Sequence, residues 1–269
     1  MRLRVAHTPD ADDAFMFYAM LNQRIPLSFE VESVVEDIET LNRNAMQGIY
    51  DVTAISVHAY AFVHEIYRIL STGASVGNGY GPIVVAREKI DLEKALIAIP
   101  GNYTTATLLL KLACNAKTIE MRFDKIIEAV KRGEVDAGLL IHETQLSFEE
   151  LGLKKILDLY EWWNSITKLP LPLGVNAIKR SLDIETQRAF LKAMRESVRY
   201  ALENVEEAMV YAVKFSRGLD RERLRKFVTM YVNEFTLEMS SEVEKAIETL
   251  FEMAEEKRML KKPPLDVLR

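Results

Sequence analysis

One cysteine, four histidines and no long apolar run are what this 269-residue chain has least of. The lone Cys114 excludes an internal disulfide framework and any multi-cysteine zinc site. It falls in an apolar helical pattern and reads as an inert core thiol, not a nucleophile. No stretch approaches the ~18 apolar residues of a membrane span. Met1 to His7 alternates like a strand and meets acids by Asp10, which leaves no room for the ~7–15-residue apolar segment of a signal peptide. The expectation is a soluble, cytoplasmic protein. A basic block is missing too: the net charge is −5, and Lys and Arg are dispersed among acids, so nucleic acid has no footprint. No repeat or low-complexity tract occurs. With 49% hydrophobic residues, the chain can build the core of one large or two medium domains.

The chain is best organised around E-V-D-A-G-L-L-I-H-E-T at 134–144. Val135 to Ile141 reads as a strand buried on both faces, as in the sheet of an α/β domain. His142, Glu143 and Thr144 follow at its carboxyl end, the edge where open parallel sheets take their ligands. Position alone leaves two readings of His142 open: a residue reached by ligand, or a surface cap of the next helix. Further upstream, strand 2–7, a helix carrying Phe15, Met16, Ala19 and Met20, strand 27–35, helix 37–47 and strand 51–55 open a doubly wound sheet. Asp12 or Asp13 is expected to cap the first helix and face its positive end. A Mg²⁺ or Ca²⁺ loop lacks the glycine and further ligands that would complete it. Ser56 stands at the next helix start.

Loop 72–81 (T-G-A-S-V-G-N-G-Y-G) precedes no convincing helix, so no dinucleotide fingerprint is read there. Strand 96–99 runs into P-G-N-Y-T-T and helix 106–114. Exposed amides, the helix dipole and the Thr104–Thr105 pair make an anion site there without a lysine; ordinary capping accounts for one threonine. Strand 118–122, helix 123–132 and strand 156–159 follow. Trp162 and Trp163 point in different directions on a helix, so one is a candidate for the wall of a cleft. From residue 184 onward come amphipathic helices at about 184–204, 206–216, 220–232 and 241–260. Segments 82–87 and 173–178 are alike and frame a middle portion with its own alternation. The expected organisation is a discontinuous first domain, 1–86 and 176–269 with C-terminal helices, and an inserted α/β domain, 87–175. Asp12 and Ser56 from the first and Thr104 and His142 from the second would meet in the cleft between them, where a small molecule binds.

At these residues the sequence resembles the 1,4-dihydroxy-6-naphthoate synthase family of the futalosine route to menaquinone. The matching stretches are D-A-F-M-F-Y-A at 13–19, E-D-I-E-T-L-N-R at 36–43, G-P-I-V-V-A-R at 81–87, I-P-G-N-Y-T-T-A at 99–106, G-E-V-D-A-G-L-L-I-H-E at 133–143, E-W-W at 161–163, L-P-L-P-L-G at 169–174 and Y-V-N-E-F-T-L at 231–237. The resemblance implies a two-domain, type II periplasmic-binding-protein-like fold used as a cytoplasmic lyase-type enzyme. It implies conversion of cyclic dehypoxanthine futalosine to 1,4-dihydroxy-6-naphthoate without metal or organic cofactor. The family's histidine base falls on His142, its paired threonines on Thr104 and Thr105, and its substrate-contacting serine on Ser56. An imidazole, with an ordinary pKa of about 6.5, suits proton removal near neutrality; His7 is the alternative base. Two departures make the cleft less positive. Ala54 stands where the family commonly has Lys, and T-P-D-A-D-D at 8–13 replaces S-P-C-P-N-D, adding Asp10 and turning an Asn into Asp12. The rivals are chorismate dehydratase of the same route, which shares the fold but against which the E-V-D-A-G-L-L-I-H-E segment with its histidine base argues, and a non-catalytic cytosolic protein binding a small carboxylate. The expected partner in each case is a small-molecule carboxylate, with no nucleic acid and no membrane.

Overall fold

The computed structural model describes residues 1–215 and 220–269, apart from the side chain of residue 143. The chain opens with β1 (Arg2–His7), α1 (Ala11–Leu21), β2 (Glu30–Val35), α2 (Ile38–Met46), β3 (Val52–Ser56) and α3 (Val57–Val63). β1 pairs in parallel with both β2 and β3, so this opening is doubly wound, as the alternation of apolar residues required. β4 (Tyr67–Leu70) follows, and a short strand, β5 (Ser75–Gly77), occupies part of what reads in the sequence as loop.

The middle of the chain forms β6 (Ile83–Ala86), β7 (Leu96–Ile99), α4 (Thr105–Ala113), β8 (Lys117–Glu120), α5 (Ile126–Arg132), β9 (Ala137–Leu140), β10 (Lys154–Asp158) and α6 (Leu159–Thr167). β11 (Leu171–Lys179) leads to α7 (Ile184–Glu203), α8 (Val205–Ala212), α9 (Arg221–Tyr231), α10 (Glu234–Leu237), α11 (Ser241–Glu256) and β12 (Val267–Leu268). The helix expected at 206–216 is α8 plus a 3₁₀ turn, Val213–Phe215; its last residue lies outside the described residues.

Two sheets result. The first is seven-stranded, in the order β12-β4-β11-β3-β1-β2 with β5 beside β11; the second is five-stranded, β10-β6-β9-β7-β8. The chain therefore changes sheet between Gly77 and Ile83 and again between Asp158 and Leu171. Hydrogen bonding places β6 with β9 and β10, and all of β11 with β3, β4 and β5. Residues 83–86 thus belong to the second sheet and 171–175 to the first, which differs from boundaries drawn at 86/87 and 175/176. The likeness of the two framing segments could not show which neighbours each one pairs with.

Apolar faces on both sheets share one core, in which Ile55 and Val175 of the first and Ile97 and Leu139 of the second pack around α3, α4, α6 and α11. The other face of the first sheet is covered by α1, α7, α8 and α9. α7 shows why: Phe190, Leu191, Met194, Val198 and Ala201 recur at helical spacing and are buried, and Asp183 caps its first turn at 2.8 Å. Trp163 is fully buried, its indole N–H donating to Leu169 O and Pro170 O, and neither tryptophan reaches the cleft.

Candidate active site

The strand ends of both sheets open onto one cleft, the kind of concave site between sheets where small molecules bind. Ser56, Thr104, Thr105, Asp12, Asp13 and His142 all line it. His142 follows β9 of the second sheet and is 7% exposed. Its Nδ1 lies 2.9 Å from Asp10 Oδ2, at the β1–α1 junction of the first sheet. Phe123 backs the ring, with centroids 4.2 Å apart. Nε2 is buried and has no hydrogen-bond partner among the described residues.

The other imidazoles are committed elsewhere. His7 has Nδ1 2.9 Å from Thr8 O and Nε2 3.1 Å from Ser33 Oγ, and it stacks on Phe17. His58 is buried, which pushes its pKa down to about 4, and its Nδ1 faces Thr104 O. Neither lines the cleft.

The acidic loop differs from its expected role. Asp10, not Asp12 or Asp13, is the N-cap of α1, and its side chain makes no cap hydrogen bond. Asp13 reaches back to accept from Thr8 N–H at 2.7 Å and Thr8 Oγ1–H at 2.8 Å. Proximity in sequence suggested capping; the third residue of the helix instead ties down the strand–helix turn. Asp12 stands in the first turn with a buried Oδ1 that has no partner among the described residues. Burial holds its carboxyl well above the usual range, and the charges of Asp13 and Asp10 add to this. Burial also raises Asp13, against the opposing pull of His7 and Thr8. Among the described residues no three His, Cys, Asp or Glu side chains converge as a metal site would.

The paired threonines are structural through their hydroxyls. Thr104 Oγ1 caps α4 by accepting from Thr107 N–H, and Thr105 Oγ1 donates to Leu173 O at 2.5 Å while accepting from His58 N–H. What they leave for an anion is the backbone N–H of Thr105 and Ala106, first-turn groups that no helical carbonyl can reach. Ser56 is held by Asn42, which donates to its Oγ at 3.1 Å and accepts from its N–H at 2.9 Å.

Sequence reasoning passed over Asn176, Phe227 and Tyr231, which also line the cleft. Asn176 donates to Gly73 O at 2.9 Å and leaves a buried Oδ1 without a partner. Phe227 and Tyr231 form an aromatic wall on α9, and Gln145 donates to Tyr231 Oη at 3.4 Å. The departure T-P-D-A-D-D did flag Asp10; nothing local flagged the other three. Among the described residues, no Lys or Arg lines the cleft.

A cleft between two α/β sheets, walled by C-terminal helices, defines a protein of the periplasmic-binding-protein fold. A Candida albicans protein described by that generic fold superposes with a TM-score of 0.67 over 100% of this chain and 98% of its own, at 13% identity. The chain belongs to the menaquinone biosynthesis family, whose model matches residues 3–256. It is 42% identical over 255 residues to a Thermus thermophilus protein named 1,4-dihydroxy-6-naphthoate synthase, covering 94% of each. A crystal structure from Archaeoglobus fulgidus is similar at 58% identity and TM-score 0.95, covering 96% of this chain and 98% of that one.

Proposed function

We propose that this chain is a 1,4-dihydroxy-6-naphthoate synthase, a lyase-type enzyme acting in the cytoplasm on cyclic dehypoxanthine futalosine. It would need neither metal nor organic cofactor. Family membership and the name of its Thermus relative support the reading. The observation that carries it is His142, buried in the cleft wall with a free Nε2. That nitrogen takes a proton from the bound substrate. The spiro ring then opens, the sugar fragment leaves, and the ring system aromatises to the naphthalenediol. An imidazole general base contributes about 10²–10⁴-fold to such a step.

The substrate's aryl carboxylate binds at the start of α4, on the amides of Thr105 and Ala106, which Thr104 and Thr105 hold in place through their hydroxyls. This end suits an anion because the Asp10, Asp12 and Asp13 carboxyls crowd the start of α1 instead. Phe227 and Tyr231 offer the fused rings an apolar face. Ser56 and the acceptor Oδ1 of Asn176 are placed for substrate hydroxyls.

The test is incubation of the purified protein with cyclic dehypoxanthine futalosine and mass detection of the naphthoate. Product formed by the native protein and lost in His142→Ala is the expected result. Dehydration of chorismate, or tight binding of the carboxylate without turnover, would overturn it.

A further inference from the structure

Asp10 is the N-cap of α1, with extended backbone, φ −105° and ψ 153°, where an aspartate ordinarily accepts from its own helix. It forgoes that bond, and its carboxylate lies 2.9 Å from Nδ1 of His142. The two residues hang from different sheets: Asp10 follows β1, His142 follows β9. We propose that Asp10 is the positioning residue of the base, setting from the opposite side of the cleft which imidazole nitrogen is free to take the substrate proton. This inference rests on the proposed role of His142.

The physical argument is one of tautomers. A neutral imidazole carries its proton on one nitrogen and a lone pair on the other, and the hydrogen bond at one decides the state of the other. An ionised carboxylate only accepts, so a bond to Asp10 requires the proton on Nδ1. The lone pair is then on Nε2, a buried atom of this cleft-lining residue that has no hydrogen-bond partner among the described residues. Phe123 packs against the ring and restrains its rotation. The bond joins the two sheets, so the base is set by a residue that lies far away in the chain and on the other sheet.

A mere ion pair between lobes would leave the tautomer and the chemical step alone, and this separates the two roles. In ¹⁵N-labelled, ligand-free protein, long-range nitrogen–proton spectra should show His142 in the Nδ1–H form. Asp10→Ala should shift it toward the Nε2–H form. Turnover of Asp10→Ala should fall about 10–100-fold, as for loss of a partner that orients a functional imidazole, with KM within about threefold. Asp10→Glu should recover part of the loss. The proposal is overturned if native His142 is in the Nε2–H form, a result that needs no variant to fold. It is also overturned if Asp10→Ala raises KM and leaves kcat unchanged. An active His142→Ala would instead bring down the role of the base, whatever the tautomer.

Discussion

Glu39 on α2 accepts a hydrogen bond from the backbone N–H of Tyr103 at 3.0 Å, joining the first sheet's helices to the loop before α4. Arg43, one turn on, sits 2.9 Å from Glu39 Oε1, and its Nη2 donates to both carboxylate oxygens of Glu120 on β8. Beside the cleft, these contacts cross from one sheet's layer to the other. Burial raises the Glu39 pKa to about 7, with the Tyr103 N–H and Arg43 pulling the other way.

Glu39 should make stability depend on pH. Its folded value lies above the ordinary 4.5, so its contribution is fully present below about pH 4.5 and is lost as pH rises through about 7. Denaturant unfolding of the native protein and Glu39→Gln, compared from pH 5 to 8, should show a difference that changes by about 3 kcal/mol. Parallel curves would refute the account.

Gly101 is required by the same contact. A Cβ there would lie 2.2 Å from Glu39 Oε2 and 2.4 Å from its Cδ. Gly101→Ala should cost about 1–3 kcal/mol by overpacking. In a Glu39→Ala background most of that cost should vanish, because the clashing atoms are gone. A penalty that persists in the double variant would place the strain elsewhere.

His142→Ala and His142→Asn should each lower kcat by about 10²–10⁴-fold and leave KM largely unchanged. His7→Ala, in contrast, should keep its turnover, since both ring nitrogens of His7 are engaged, by Thr8 O and Ser33 Oγ, and His7 does not line the cleft.

The start of α4 can be tested by separating hydroxyl from amide. Thr105→Ala removes the bond to Leu173 O, whereas Thr105→Pro removes that bond and the N–H as well. Proline is well tolerated at a first helical position, and Thr104 before it is already extended at ψ 145°. If the amide holds the carboxylate, KM of the proline variant should exceed that of the alanine variant about tenfold or more. Equal values would remove the amide from the binding site.

EDTA should leave turnover unchanged, in keeping with a proton-transfer mechanism run by His142. Loss of activity on chelation, restored by Mg²⁺ or Ca²⁺, would recast Asp10, Asp12 and Asp13 as ligands.

Local pattern was enough to place most elements. Alternation marks β1 and β2, helical spacing marks α7 and α11, and Asp37 and Gly48 bracket α2. His142 at the end of β9, Ser56 at the end of β3 and the Thr pair at α4 were legible because strand ends and helix starts are written in consecutive residues. Tertiary structure decided what those residues do. Asp10 looks like any acid at a helix start until β9 brings His142 within 2.9 Å of it. Thr104 and Thr105 look like free donors until Gly101, Thr107 and Leu173 claim their hydroxyls. Asn176, Phe227 and Tyr231 enter the cleft only because β11 lies beside β3 and α9 folds back over the first sheet. A single chain segment specifies its own backbone and its own periodicity. Which groups share a proton, or lose one to burial, depends on neighbours far apart in sequence, and folding alone brings those together.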